Sequence, residues 1–209
     1  MQFDTEFKKA ISNLSSTEKD KLIFRLLKHD LVLANQLIFE LLDDENVDEK
    51  RAKMQKRIIA EVKQMTDRFY SVGYLVMDLR YLSGEITQHV KITKDKFGEP
   101  YLNLIMLTEV LKKNTKALQA ITKTKSHSFC IYIIARAFKI ILLIKPLNED
   151  YFIEFKENLL LLGKLIANND NLMDAAIHNG FDVNWLLQEN IPNDIAKIHK
   201  SIRERGYLK

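Results

Sequence analysis

Apolar side chains recur every three or four positions along nearly the whole of this chain. That spacing is the period of the α-helix, in which residues i, i+3, i+4 and i+7 share a face. Few breakers interrupt it: the 209 residues include only six glycines and three prolines, about a third of the ~12% those two hold in average proteins. Sheet proteins spend both residues on turns, so their scarcity favours long helices and few loops. Leu, Ile, Lys, Glu and Ala dominate the remainder, and most of these are good helix formers. The expected fold is therefore all-α, an irregular antiparallel array of about ten helices, either HEAT-like or a multi-helix bundle. A chain of this length buries roughly 70% of its unfolded surface and needs no metal or disulfide staple.

Start and stop signals place the helices. Asp4 is positioned to cap a first helix, Thr5 to Asn13. Ser15-x-x-Glu18 forms a capping box for a second, which closes on Lys28 and His29, cations suited to the negative helix end. Asp30 caps a third, Leu31 to Leu42. An acidic loop, Asp43 to Glu49, carries five carboxylates among seven residues. A long helix follows from Asp48 to Tyr70, with Met54, Ile58, Ile59, Val62, Met65 and Phe69 on its apolar stripe. A tight Ser71-Val72-Gly73 turn leads to a second long helix, Tyr74 to Thr93, and a turn that short predicts a hairpin. Lys94 to Pro100 reads as a loop with Pro100 at the first helical position, and the next helix as Tyr101 to Thr115. From Ser126 to Lys145 the polar residues Ser128, Tyr132, Arg136 and Lys139 form one narrow stripe, which marks a helix covered on most sides. Asn148 is expected to cap the next helix, whose Leu159 to Leu162 face inward. Asn171 to His178, Val183 to Glu189 and Asp194 to Arg205 complete the chain. The whole reads as one helical domain, 1–209, with subdivisions at 1–47, 48–116 and 117–209.

Cys130, the only cysteine, falls in an apolar run and reads as a buried core thiol. The amino terminus mixes Asp4, Glu6, Lys8 and Lys9 among its apolar residues, unlike a signal peptide. The run Phe129 to Ile144 holds Arg136 and Lys139 and stops before Pro146, so it reads as too short and too charged to span a bilayer. A cytoplasmic location without membrane association is expected.

The segment Ser15 to Asp30, SSTEKDKLIFRLLKHD, resembles a family of uncharacterised all-helical bacterial proteins. Asp67-Arg68-Phe69-Tyr70 through Asp78-Leu79-Arg80-Tyr81-Leu82-Ser83-Gly84-Glu85 adds to the likeness, as does Val90 to Asp95. The resemblance covers the first half of the chain. Some members of that family carry the label deoxyuridine triphosphate nucleotidohydrolase. The resemblance implies an all-helical cytoplasmic protein and brings no established activity.

Three constellations are candidate sites. Arg68, Tyr70, Tyr74, Arg80 and Tyr81, with Asp67 and Asp78, crowd the hairpin turn, where tyrosines and arginines would serve as binding anchors or an ion-pair network would pin the hairpin end. Between Val110 and Asn148 lie eight basic residues and no acidic one, although the whole chain is only +4. There Lys112, Lys113, Lys116, Lys123, Lys125 and Ser126 run into a helix start, where free amides favour an anion or a nucleic-acid phosphate. Glu154-x-x-Glu157 with Asp170-x-x-x-Asp174 comes near the paired carboxylates of helical nucleotide pyrophosphatases, whose hard oxygens hold magnesium. The doubled glutamate of that pattern is absent, since Ile153 precedes Glu154 and Phe155 follows it. Glu85-x-x-x-His89 reads as an i,i+4 surface pair. Ala176-x-x-x-Gly180 has helix-turn-helix spacing, but Asn179 and Glu189 fall where apolar residues belong, and Val183 to Glu189 holds no Lys or Arg.

No glycine-rich phosphate loop, catalytic triad or cofactor motif is present in the sequence, and no cofactor is expected. The leading expectation is a non-catalytic protein-interaction module whose partner is another protein. The alternatives are a nucleic-acid or anion binder and a magnesium-dependent nucleotide pyrophosphatase. The oligomeric state is left open.

Overall fold

The computed structural model describes residues 3–147, 149–188 and 190–209. The expected cap Asn148 and the expected helix end Glu189 lie outside them. The chain is 79% helical, and the described residues form eleven helices and no strand. These are α1 (Thr5–Ser12), α2 (Ser16–His29), α3 (Leu31–Leu42), α4 (Val47–Asp67), α5 (Val72–Thr93), α6 (Gly98–Gln119), α7 (Lys123–Ile144), α8 (Glu149–Ala167), α9 (Asp170–His178), α10 (Asn184–Leu187) and α11 (Ile195–Glu204).

The early caps act as their residue types require. Asp4 accepts from the Phe7 amide at 2.6 Å and Asp30 from the Leu33 amide at 3.0 Å. Ser15 and Glu18 close a reciprocal capping box, and Asn46 and Glu49 close a second. Each satisfies amide donors that the first helical turn leaves unpaired.

Several boundaries differ from the sequence reading, each for a local reason. Helix α5 begins at Val72, because Ser71 accepts from the Tyr74 amide and draws the turn residues into the helix. Helix α6 begins at Gly98, so Pro100 is its third residue. The Asp95 carboxylate accepts from the Gly98 amide at 2.8 Å and starts the helix early. At the far end α6 continues past Thr115 to Gln119. Asn114 and Thr115 donate to the carbonyls of Val110 and Leu111 within the helix, and Leu118 is buried. Helix α7 starts at Lys123, three residues before the expected Ser126.

Every substantial contact but one joins helices one or two apart in the chain, which builds two rows. One row runs α4, α6, α8, α10 and the other α3, α5, α7, α9, with α11 laid on α7. Helix α6 sits where the rows meet, contacted by α4, α5, α7 and α8. Thirteen of its 22 residues are buried. Gly163 of α8 lets α10 approach: a Cβ there would lie 2.9 Å from Leu187 and 3.0 Å from Leu186. A second cluster forms where Phe138 of α7 meets Phe181 and Trp185 at ring separations of 4.8 and 5.7 Å. One continuous core runs from Met54 to Leu208.

The expectation that the Phe129–Ile144 run is too short for a bilayer is corrected by the earlier start of α7. Its 22 residues are long and apolar enough to cross a membrane by length and composition. More than half of the apolar window is buried inside the fold, against α5, α6, α9 and α11, as in a core helix. Cys130 is buried there, and burial pushes its thiol above the ordinary range.

The corner between α5 and α6 is held by charge. Arg51 of α4 grips Asp95 through two hydrogen bonds of 2.6 and 2.8 Å, and only 3% of the Asp95 side chain is exposed. The Arg51 guanidinium also lies 4.6 Å from the centre of the Phe97 ring, which packs on Phe155 of α8 at 4.8 Å. Gly98 is required at this corner, because a Cβ would fall 2.0 Å from Asp95 Oδ2. Removing one partner of a buried pair strands the other charge. Arg51→Met is therefore expected to lower unfolding free energy by about 3 kcal/mol in urea denaturation, and Gly98→Ala to destabilise in the same assay. Unchanged midpoints would show that the corner is not held this way.

Beside this corner the Nε2 atom of His89 is buried with no hydrogen-bond partner among the described residues. Burial holds its imidazole below the ordinary value of 6.5; Asp95 opposes that shift, and Arg51 and Lys50 add to it. His199, beside Phe138, is lowered by burial as well. The unfolded chain accepts protons that the folded chain resists, so this stability is complete above pH ~6.5 and declines as pH falls below it. Urea midpoints measured from pH 7.5 to 5.5 are expected to fall, and His89→Gln to flatten that fall by up to about one proton.

Candidate functional site

The hairpin constellation is brought together along α4 and α5. Tyr74, Met77 and Tyr81 lie at helical spacings of three and four residues, and Tyr70 continues the line before the helix. The Tyr70 and Tyr74 rings meet edge to face at 5.4 Å. All four side chains point to solvent, Tyr70 82% and Tyr81 80% exposed. Over the same stretch Leu75, Val76, Leu79 and Leu82 are buried against the core, so α5 has one apolar face turned inward and an aromatic ridge turned outward. Helix α3 is bonded to the far end of α5: Gln36 Nε2 donates to the Lys91 carbonyl at 2.6 Å and Lys94 pairs with Glu40 at 2.5 Å. The ridge is left open.

A groove of about 330 Å³ runs between α4 and α5, lined by Glu61, Gln64, Met65 and Arg68 on one side and Asp78, Tyr81, Leu82 and Glu85 on the other. Arg57 bridges to Glu85 across the two helices at 2.6 Å. The other flank of the ridge is basic. Arg80 lies near Tyr132 of α7, over whose ring Arg136 sits at 5.3 Å. Burial pushes the Tyr132 phenol upward, and its hydroxyl donates to the Leu79 carbonyl at 3.0 Å. At the turn, Tyr70 and Lys125 share a second cavity of about 410 Å³ with Phe69, Ser71 and Ile121. The ridge thus has Glu61 and Asp78, with Arg68 among them, on its α4 side and Arg80 and Arg136 on its α7 side.

Of the ion-pair alternative for this hairpin, the described residues show Asp67 paired with Lys63 of its own helix at 2.9 Å and one bridge between α4 and α5, Arg57 to Glu85. Glu85 and His89 do not form the expected surface pair, because Glu85 is held by Arg57 and His89 Nε2 is buried without a partner.

The basic constellation is divided by the fold. Lys112 and Lys113 reach Glu109 at 3.8 and 3.1 Å, and Lys123 reaches Asp174 at 2.7 Å. Lys139, in the same acid-free stretch, is paired with Glu99 at 2.7 Å. Ser126 is buried inside the first turns of α7, where its hydroxyl donates to the carbonyls of Thr122 and Lys123. It is turned away from any anion at the helix start. Lys116 and Lys125 remain exposed.

The carboxylates Glu154, Glu157, Asp170 and Asp174 are all exposed, the first two on α8 and the others on α9. Among the described residues no group of three or more His, Cys, Asp or Glu side chains is placed to hold a metal ion, and Asp174 is committed to Lys123. The acidic loop is also neutralised. Lys50 lies 2.5 Å from Asp43 and 3.1 Å from Glu45, and Lys53 also pairs with Glu45. These hydrogen bonds hold both carboxyls below their ordinary range.

Met77, Glu61 and Gln64 belong to the site and were missed in the sequence. The spacing of Met77 between Tyr74 and Tyr81 was a readable signal; Glu61 and Gln64 join only through the crossing of α4 on α5. Comparison with protein-family models, curated proteins and solved structures finds no match. The arrangement is suited to binding: rigid aromatic side chains with polar ends, flanked by charges of opposite sign.

Proposed function

We propose that this chain is a non-catalytic helical interaction module that binds another protein along the α5 ridge. The observation that carries the reading is the line Tyr70, Tyr74, Met77 and Tyr81, exposed on a helix whose opposite face is locked into the core. Tyr, Met and Arg are enriched at interfaces, and Tyr offers a large contact area with only two side-chain torsions to freeze. From Tyr74 to Tyr81 the ridge rises about 10 Å, the length of two helical turns. A partner laid along it would place acidic groups towards Arg80 and Arg136 and basic groups towards Glu61 and Asp78, since Glu85 is already held by Arg57. The buried, poorly ionised Cys130 fits a chain working in a reducing cytoplasm.

The test is capture from cell lysate with the wild-type chain and the Tyr74→Ala/Met77→Ala/Tyr81→Ala variant side by side. All three side chains are exposed, so the thermal midpoint is expected to stay within a few degrees. The specifically captured protein is expected to fall at least tenfold in the variant, since anchors of this kind contribute about 2 kcal/mol or more each. Equal capture by both chains would remove the ridge from the interface.

A further inference from the structure

Helices α1, α2 and α3 contain no buried residue, although they span the whole amino-terminal part of the array. Eleven large apolar side chains between Phe3 and Leu42 are exposed, with Leu31 at 71% and Leu41 and Leu42 at 76% each. Helix α3 carries one charged residue, Glu40, and that is turned to Lys94 of the core array. Its inward face is marked by Gln36 and Glu40, both bonded to the end of α5. On the other side, Leu31, Asn35, Ile38 and Leu42 follow one another at spacings of four, three and four residues, the seam pattern of two packed helices. Helix α2 packs on α3 and adds Ile23, Phe24 and Leu26 to the exposed apolar surface.

We infer that this seam is covered by a second copy of the same chain, with α2 and α3 of the two copies forming a four-helix bundle about a two-fold axis. Three observations select that occupant. First, the area is of the right size: the eight such side chains on α2 and α3 expose on the order of 800 Å², comparable with the roughly 800 Å² that each partner buries in a stable complex. Second, Phe3 to Leu42 holds six acidic and six basic side chains. A surface with no net charge meets its own copy without repulsion and lacks the basic excess of a helix that lies on anionic lipid. Third, Asn35 interrupts an otherwise apolar seam. A single asparagine at such a position is best satisfied by the same asparagine across a two-fold axis, where it sets register and stoichiometry. The seam lies on α3 and the tyrosine ridge on α5, so the two proposals stand separately.

The experiment is sedimentation equilibrium of the full chain at micromolar concentrations, with the Ile38→Glu/Leu42→Glu variant alongside. The wild type is expected at twice the 24.4 kDa chain mass. The variant is expected at the single mass with unchanged helix content by circular dichroism, its dissociation constant raised at least about 100-fold by the charges set into an apolar seam. Amide hydrogen exchange on the wild type gives a measure that needs no variant. Protection in α2 and α3 should rise across a hundredfold increase in concentration while α6 stays constant. A wild type that sediments at 24.4 kDa throughout, a variant that still pairs, or exchange in α2 and α3 independent of concentration would each overturn the inference. So would protection of a monomeric chain that arises only with phosphatidylglycerol vesicles or a different captured protein. Loss of pairing with lysate capture intact would leave the α5 ridge standing, and the reverse result would separate them equally.

Discussion

The corner at Asp95 organises the array. A carboxylate with 3% of its side chain exposed needs compensation for lost hydration, and it is fully engaged: two bonds from Arg51 and one from the Gly98 amide. One anion therefore fixes three things at once, namely the start of α6, the turn out of α5 and the lean of α4 against both. The guanidinium that answers it also covers Phe97, whose ring meets Tyr101, Tyr151 and Phe155 at 5.6 Å or less. Charge pairing and aromatic packing thus converge on a single turn. Lys94, held at a left-handed φ of 57° just before it, fits the same constraint: the chain must reverse sharply to bring Asp95 under Arg51.

With that corner set, the rest follows the logic of stacked helices. Each pair buries an apolar face on the next, and α6 and α7 become central because both rows close over them. The stacking fails at one end. Helix α3 continues its row onto α5, but α2 packs on α3, so the row of α4 ends uncovered and the amino-terminal helices gain no core of their own. The exposed apolar seam and the open groove beside α4 have this same origin. Covering the seam with a second copy would supply the missing layer, while the α5 ridge stays available to a different partner.

The charge pattern shows how far local density misleads. A stretch with eight cations and no carboxylate looks like a phosphate-binding surface when read along the chain. In space four of its lysines meet Glu99, Glu109 and Asp174, which lie outside the stretch, while Lys116 and Lys125 stay exposed. The acidic loop is answered in the same way by Lys50 and Lys53. Ion pairs between exposed side chains contribute little stability one by one, yet here they decide which patches present a net field.

The helical class, the early caps, the tight hairpin and the burial of Cys130 were legible in the sequence, because each depends on residues within about one or two turns of one another. The tyrosine cluster was legible for the same reason, since spacings of three and four residues put side chains on one face whatever surrounds the helix. Tertiary structure alone decided the rest. That Arg51 answers Asp95, that Glu61 faces Asp78, that the four candidate carboxylates stay on the exposed faces of two helices without forming a metal site, and that the apolar stripe of α3 is left open all depend on how separate helices cross. Helix period specifies which face is apolar, and only the packing of distant segments specifies whether anything covers it.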